Sequence, residues 1–168
     1  MVIWQIKERF SCREFLDKPI KKQLLETILE AGRVSPSANN LQNWKFITIE
    51  DEHLRKQLGT ICRGQTFVSA APVTIAVCCT NLNYQMTCGI EAYIADGFIA
   101  AQNMVTQAVE FGLGSCYIGA FFQQRAKKLL RLPADWKIVT LLPIGYPKQK
   151  KRDRFVKSRS DVFSIDSF

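Results

Sequence analysis

Histidine is almost missing: His53 is the only one in 168 residues. Chemistry built on an imidazole base or a histidine-rich metal centre therefore has one side chain to draw on. That side chain stands beside Asp51 and Glu52, where capping a helix or facing water is enough to explain it. No Cys-x-x-Cys occurs either, so no metal site is expected. No apolar run is long enough to cross a bilayer, which argues against a membrane protein. The N-terminus lacks a basic region, apolar core and small-residue cleavage site, so a cytoplasmic protein is expected. A Gly-x-Gly-x-x-Gly turn after a strand and a Walker motif are both missing, and with them the usual sequence marks of a dinucleotide or triphosphate site.

The composition that remains is that of a globular protein. Hydrophobic residues make up 47% and charged residues 23%, and a chain of this length can bury a core as one domain, residues 1–168, without disulfides. The six cysteines include the adjacent pair Cys78 and Cys79 inside a strand-like run, where neighbouring side chains face opposite ways. They read as small buried hydrophobes in a reducing compartment. The net charge of +8 is concentrated at one end. Residues 148–159 hold seven bases (Lys148, Lys150, Lys151, Arg152, Arg154, Lys157 and Arg159) against Asp153 alone, a local balance of +6. Such a segment attracts anions: nucleic acid, a membrane surface or a phosphorylated small molecule. With only Phe155 interleaved, it offers no stacking platform for single strands.

Along the chain, Ile3, Ile6 and Phe10 suggest a short opening helix over residues 3–10. Pro19 opens a helix over 20–34 with Leu24, Leu25, Ile28 and Leu29 inward. Residues 44–49 read as a strand, and Asp51 and Glu52 start a helix of about two turns reaching Gly59. Residues 64–72 form a small-residue junction. The run 73–79 has the continuous apolarity of a strand covered on both faces. The longest helix spans 89–111, and its Ala92, Ala95, Ile99, Met104, Val105, Ala108 and Val109 leave little polar circumference, so it belongs at the middle of the molecule or at a subunit contact. Asp96, Gln102, Asn103 and Gln107 interrupt it and need partners. A glycine-rich turn over 112–120, a short helix over 123–132 and a strand over 137–144 follow. Helices alternating with strands imply a sheet with helical layers and crossovers.

No carboxylate pair suited to acid–base work stands out, since Glu91 and Asp96 are five apart and do not share a helix face. Two polar stretches do. In extended backbone, Arg9, Ser11 and Arg13 of Arg9-Phe10-Ser11-Cys12-Arg13 fall on one side, two forked guanidiniums and a hydroxyl suited to a phosphate. Residues 33–46 pack Ser35, Ser37, Asn39, Asn40, Gln42 and Asn43 into one connection, either a turn that satisfies itself or a loop that presents amides and hydroxyls to a ligand. Arginines for a phosphate, amides for a heterocycle and glycines for a flat ring would serve a bound cofactor that carries the chemistry itself.

At these residues the chain resembles the FMN-dependent nitroreductase family. Residues 30–44, with Pro36-Ser37, Asn40, Gln42 and Trp44, match that family's Pro-Ser, Asn, Gln, Pro-Trp pattern except that Asn43 replaces the usual proline. Arg9 to Arg13 match its Arg-x-Ser-x-Arg element, residues 112–119 its glycine turn and residues 142–147 its late strand. The chain is short for the family and lacks the longer inserted segments of larger members.

The resemblance implies an α+β fold, a three-layer α/β/α sandwich on a mixed, mainly antiparallel sheet. It implies a homodimer with FMN at the interface and residues 148–168 as a C-terminal arm reaching the partner. Arg9, Ser11 and Arg13 would hold the phosphate and ribityl end. Pro36, Ser37 and Asn40 would reach the same FMN from the other subunit, with Gln42 ordering their loop. Gln65 would bond the ring, Ile118 and Gly119 would lie beside it with a backbone N–H at N5, and Lys157 or Arg159, if not Arg154, would close on the phosphate. The implied activity is NAD(P)H oxidoreduction by a ping-pong route to a nitroaromatic or quinone, with no side chain abstracting a proton; Tyr84, Met86, Phe121 and Phe122 would wall the ring. A non-catalytic FMN store or sensor would use the same residues, and nucleic-acid binding through the tail is the remaining alternative.

Overall fold

The computed structural model describes residues 1–151 and 153–168; Arg152, one of the basic residues of the tail, lies outside the described residues. Four strands form one sheet in the order β1-β2-β4-β3: β1 Trp44–Ile49, β2 Val73–Cys79, β3 Gly114–Ser115 and β4 Lys137–Gly145. All three ladders are antiparallel. A single parallel bridge, Ser11 to Ser115, makes the sheet mixed.

Strand β2 is buried at every position, as its unbroken apolarity predicts, and its alternation divides two cores. Val73, Ile75 and Val77 pack with Leu142 and Ile144 against α2 (Lys22–Arg33) and α5 (Ala92–Glu110). Ala76 and Cys78 face the other way, with Ile49, Ile138 and Leu141, against α3 (Glu52–Ile61), α4 (Thr66–Ala70) and α6 (Gln123–Leu129). A helical layer on each face of the sheet makes the α+β sandwich that the sequence suggested. Cys78 and Cys79 do point apart, with Cys79 under Gly97 of α5. All six cysteines are free thiols, and Cys88, unlike the other five, is exposed.

Several expectations need correction. The opening helix α1 covers only Trp4–Glu8 and buries nothing; Ile3 and Ile6 are about half exposed. It stops early because Arg9 turns extended so that the next residues can pair with β3. Helix α2 begins at Lys22, two residues later than Pro19 suggested, although Leu25 and Ile28 are buried as expected. Gly59 does not end α3 but lies buried within it, where a Cβ would come within 1.9 Å of the Ser69 hydroxyl on α4. The small-residue junction contains that helix. In α5, Ile99 is partly exposed together with Ile94 and Phe98, the Phe98 ring lying 6.1 Å from that of Tyr117.

Candidate functional site

The extended strap 9–13 is laid along β3 by hydrogen bonding and by missing side chains. Cys12 N–H donates to Ser115 O at 2.9 Å, while Cys12 itself is buried. At Gly114 a Cβ would stand 2.6 Å from the Cys12 Cβ. Its cross-strand partner Gly145 has the same constraint, since a Cβ there would meet Pro72 Cδ at 2.6 Å and Phe15 Cδ1 at 2.9 Å. Gly114 thus lets the strap reach the sheet, and Gly145 makes room for Phe15 and Pro72 beside it.

With Cys12 turned inward, Arg9, Ser11 and Arg13 line an open cleft of about 440 Å3 together with Gln149 and Arg154. Glu14 and Asp153 also border it, yet none of the three arginines forms an ion pair among the described residues. Arg13 N–H donates to Gln149 Oε1 at 3.1 Å, and its guanidinium carbon lies 6.0 Å from the Phe67 ring centroid. Burial raises the Cys116 thiol above its ordinary range, opposed by Arg13, a hydrogen bond with Ser11, and Arg9. Tyr117, behind it, is pushed up to about 12 by burial, with Arg9 opposing. These two groups stay protonated and neutral near pH 7, so the charge at the cleft comes from the three arginines against Glu14 and Asp153.

The glycine turn continues the same edge. Ile118 is buried and exchanges backbone hydrogen bonds with Leu141, at 2.9 and 3.2 Å. The next residue, Gly119, is exposed, and a Cβ there would meet nothing within 4 Å. Among the described residues its N–H has no acceptor. Gln65 donates its side-chain amide to Ala120 O at 3.2 Å and to Cys62 O at 3.0 Å, tying α3 and α4 to this turn.

The second polar stretch lies elsewhere. Residues 35–43 lead into β1, the opposite edge of the sheet, roughly 14 Å away at three strand spacings. A 3-10 turn at Ala38–Asn40 shapes it, with Asn39, Asn40 and Gln42 at φ 51°, 54° and 51°. Left-handed backbone disfavours residues other than glycine, asparagine and aspartate, so other contacts must hold it. Ser37 Oγ accepts Gln42 N–H at 3.0 Å, and the Gln42 side chain donates to Asn40 Oδ1 at 3.1 Å. Asn39 donates to the Tyr84 hydroxyl at 2.7 Å. Asp96, buried in α5, accepts Ala38 N–H at 2.9 Å. Ser35 faces inward, bonded to Ala31 O and Asn103, so Asn103 finds its partner within the same chain. Pro36 is exposed.

One chain therefore gathers Arg9, Ser11, Arg13, Gln65, Ile118 and Gly119 along the β3 edge and leaves Pro36, Ser37, Asn40 and Gln42 at the β1 edge. The tail sets out beside the first group, with Lys148 N–H donating to Glu14 O at 2.8 Å and Lys151 paired with Glu8 at 3.1 Å. Arg154 borders the cleft; Lys157 and Arg159 lie past it on an exposed segment. Sequence reasoning noticed Asp96 as one of four polar residues interrupting an apolar helix but did not connect it to the loop at Ala38, which is 58 positions away. No cluster of three or more metal-ligating side chains occurs among the described residues.

An edge strap of arginines, an open glycine turn and a braced amide loop thus stand on one α+β sandwich, an arrangement that matches a known class of protein. Residues 6–95 and 63–146 match the nitroreductase family, and the chain belongs to that family of FMN-dependent NAD(P)H oxidoreductases. It is 29% identical over 169 residues to a putative NADH dehydrogenase/NAD(P)H nitroreductase of Methanothermobacter thermautotrophicus, covering 98% of this chain and 84% of that one. It is 28% identical to an FMN reductase [NAD(P)H] of Bacillus subtilis, over 89% of this chain and 67% of that one. Among solved structures, nitroreductase A of Vibrio parahaemolyticus superposes with a TM-score of 0.90 at 27% identity, over 98% of this chain and 76% of that one. A nitroreductase family protein of Clostridium novyi NT gives 0.82 at 29% identity, over 89% and 87%.

Proposed function

We propose that the protein is an FMN-dependent NAD(P)H oxidoreductase that works as a homodimer. The observation that carries this reading is the cleft at the strap, where Arg9, Arg13 and Arg154 stand without ion-pair partners among the described residues. Guanidiniums with no ion-pair partner, each a fixed fork of donors, suit a phosphate. The fit of FMN is further supported by Gly119, whose uncovered backbone and unused N–H leave room and a donor beside a flat ring. FMN held there would supply the redox chemistry between NAD(P)H and a nitroaromatic, quinone or similar acceptor, by the ping-pong route that the resemblance implies.

The chain's own residues bind and orient. Arg9, Ser11 and Arg13, with Arg154, Lys157 or Arg159 from the tail, hold the phosphate and ribityl end. Gln65, already fixed to Ala120, presents its remaining amide oxygen to the ring edge. Ile118 supports Gly119 from beneath. Pro36, Ser37 and Asn40, with Gln42 bracing them, complete the site from the second chain. Their position at the far edge of the sheet favours this reading, because one chain cannot close both halves on one molecule. The partly exposed Ile94, Phe98 and Ile99 of α5, and Phe155, Val162 and Phe163 of the tail, supply apolar surface for such a pairing.

The test is an absorption spectrum of purified protein before and after anaerobic NADH, then NADPH. A flavin spectrum bleached by either nucleotide is expected. A flavin spectrum that neither bleaches indicates a store or sensor, and a colourless protein that takes up no added FMN overturns the assignment.

A further inference from the structure

A second cleft, of about 360 Å3, opens on the α3/α6 face near the β1 edge, with β4 and β2 between it and the strap at β3. Its floor is Ile47 and the buried Cys78; Leu130, Leu132 and Trp136 form its walls, and Lys45 and Arg131 its mouth. Burial pushes the Cys78 thiol up to about 12, so it serves as floor and not as a nucleophile. Neither cation at the mouth is ion-paired among the described residues, and from Phe111 to Ala134 the sequence contains no acid. The neighbouring carboxylate, Asp135, is engaged with the Thr80 hydroxyl at 3.1 Å.

Arg131 is held there against its backbone preference. Helix α6 ends in a Schellman turn: Leu132 N–H donates to Lys127 O at 2.9 Å, Arg131 N–H to Lys128 O at 3.3 Å, and Arg131 sits at φ 54°. Helix α5 ends in the same turn, with Leu113 N–H on Ala108 O and Gly112 at φ 69°. Glycine takes that position without a Cβ penalty. At α6 the chain has arginine instead, and that arginine lines the cleft.

We propose that this cleft is a binding site for a small planar aromatic carboxylate, its ring against Trp136 and its carboxylate between Arg131 and Lys45. The volume lies in the range of small-molecule sites, the walls suit an apolar ring, and a guanidinium matches a carboxylate in two parallel bonds. The site needs nothing from the cofactor cleft and stands whether or not FMN binds there.

Sodium 1-naphthoate is the probe, titrated calorimetrically into the protein as purified, with 1-naphthamide as the uncharged comparison and the flavin absorption followed in parallel. One naphthoate per chain is expected, with the amide about tenfold weaker, as the loss of one charge-assisted contact implies. Arg131→Gly should raise Tm while weakening naphthoate by about the same factor, and Lys45→Gln should weaken it with Tm unchanged. A lower Tm with weaker binding in Arg131→Gly overturns the proposal, because the arginine would then be holding the turn. It is equally overturned by amide and acid binding alike, by no binding at millimolar naphthoate, or by binding that perturbs the flavin and survives both substitutions.

Discussion

Cys12 faces the core and Arg13 faces the cleft, and the difference between them is one step of extended backbone. The alternation was readable from residues 9–13 alone; the second wall, brought by Gln149 and Arg154 from the other end of the chain, was not. Charge-assisted hydrogen bonds contribute about 1.5–3 kcal/mol each. Arg9→Ala with Arg13→Ala should therefore weaken FMN binding by at least about 100-fold while leaving the fold intact, because neither arginine is buried. Equilibrium dialysis and circular dichroism check the two halves of that statement. Asp96 acts on the other half-site through Ala38. Its replacement by alanine strands a backbone N–H and should cost about 1–3 kcal/mol of stability together with FMN affinity. Asparagine keeps an acceptor oxygen and should recover most of both, so urea melts of the two variants separate loss of the hydrogen bond from loss of the side chain.

Among the elements, long patterned segments were legible and short ones were not. Strand β2 announced itself by apolarity, and α2 and α5 by their length. Helix α4 has five residues and β3 two, too few for any period to show. Strand order was also hidden, since ladders join residues far apart: Gly114 meets Gly145, and Ser11 meets Ser115. Glycine misled in a physical way. Gly59 looked like a helix end, yet it is the point where α3 and α4 cross closely. Gly114 has the same kind of role between β3 and the strap, so Gly114→Ala should force Cys12 and the strap outward. Overpacking of this kind costs about 1–3 kcal/mol, and because the displaced segment carries Arg9, Ser11 and Arg13, FMN affinity should fall along with Tm. An unchanged FMN affinity at lowered Tm would show that the strap's place on β3 does not matter to the cofactor.

For the whole molecule, the separation of the polar groups on one chain is the observation that the proposed homodimer answers. The strap, the glycine turn and the braced loop occupy two edges of a four-stranded sheet, α5 presents Ile94, Phe98 and Ile99 to solvent, and the tail beyond Asp153 is exposed from end to end. In the proposed homodimer the β1-edge loop of one chain meets the β3-edge cleft of the other, twice. That arrangement has a signature independent of any contact distance. Arg13→Ala and Asn40→Ala each damage one half of every site, so either homodimer should bind FMN poorly. Mixed dimers carrying one change per chain would hold one site with both faults and one with neither. Co-expression with two different affinity tags, purification through both and flavin counting should return about half of the wild-type FMN. If both residues served a site within one chain, every site in the mixed dimer would carry one fault and no flavin would be regained.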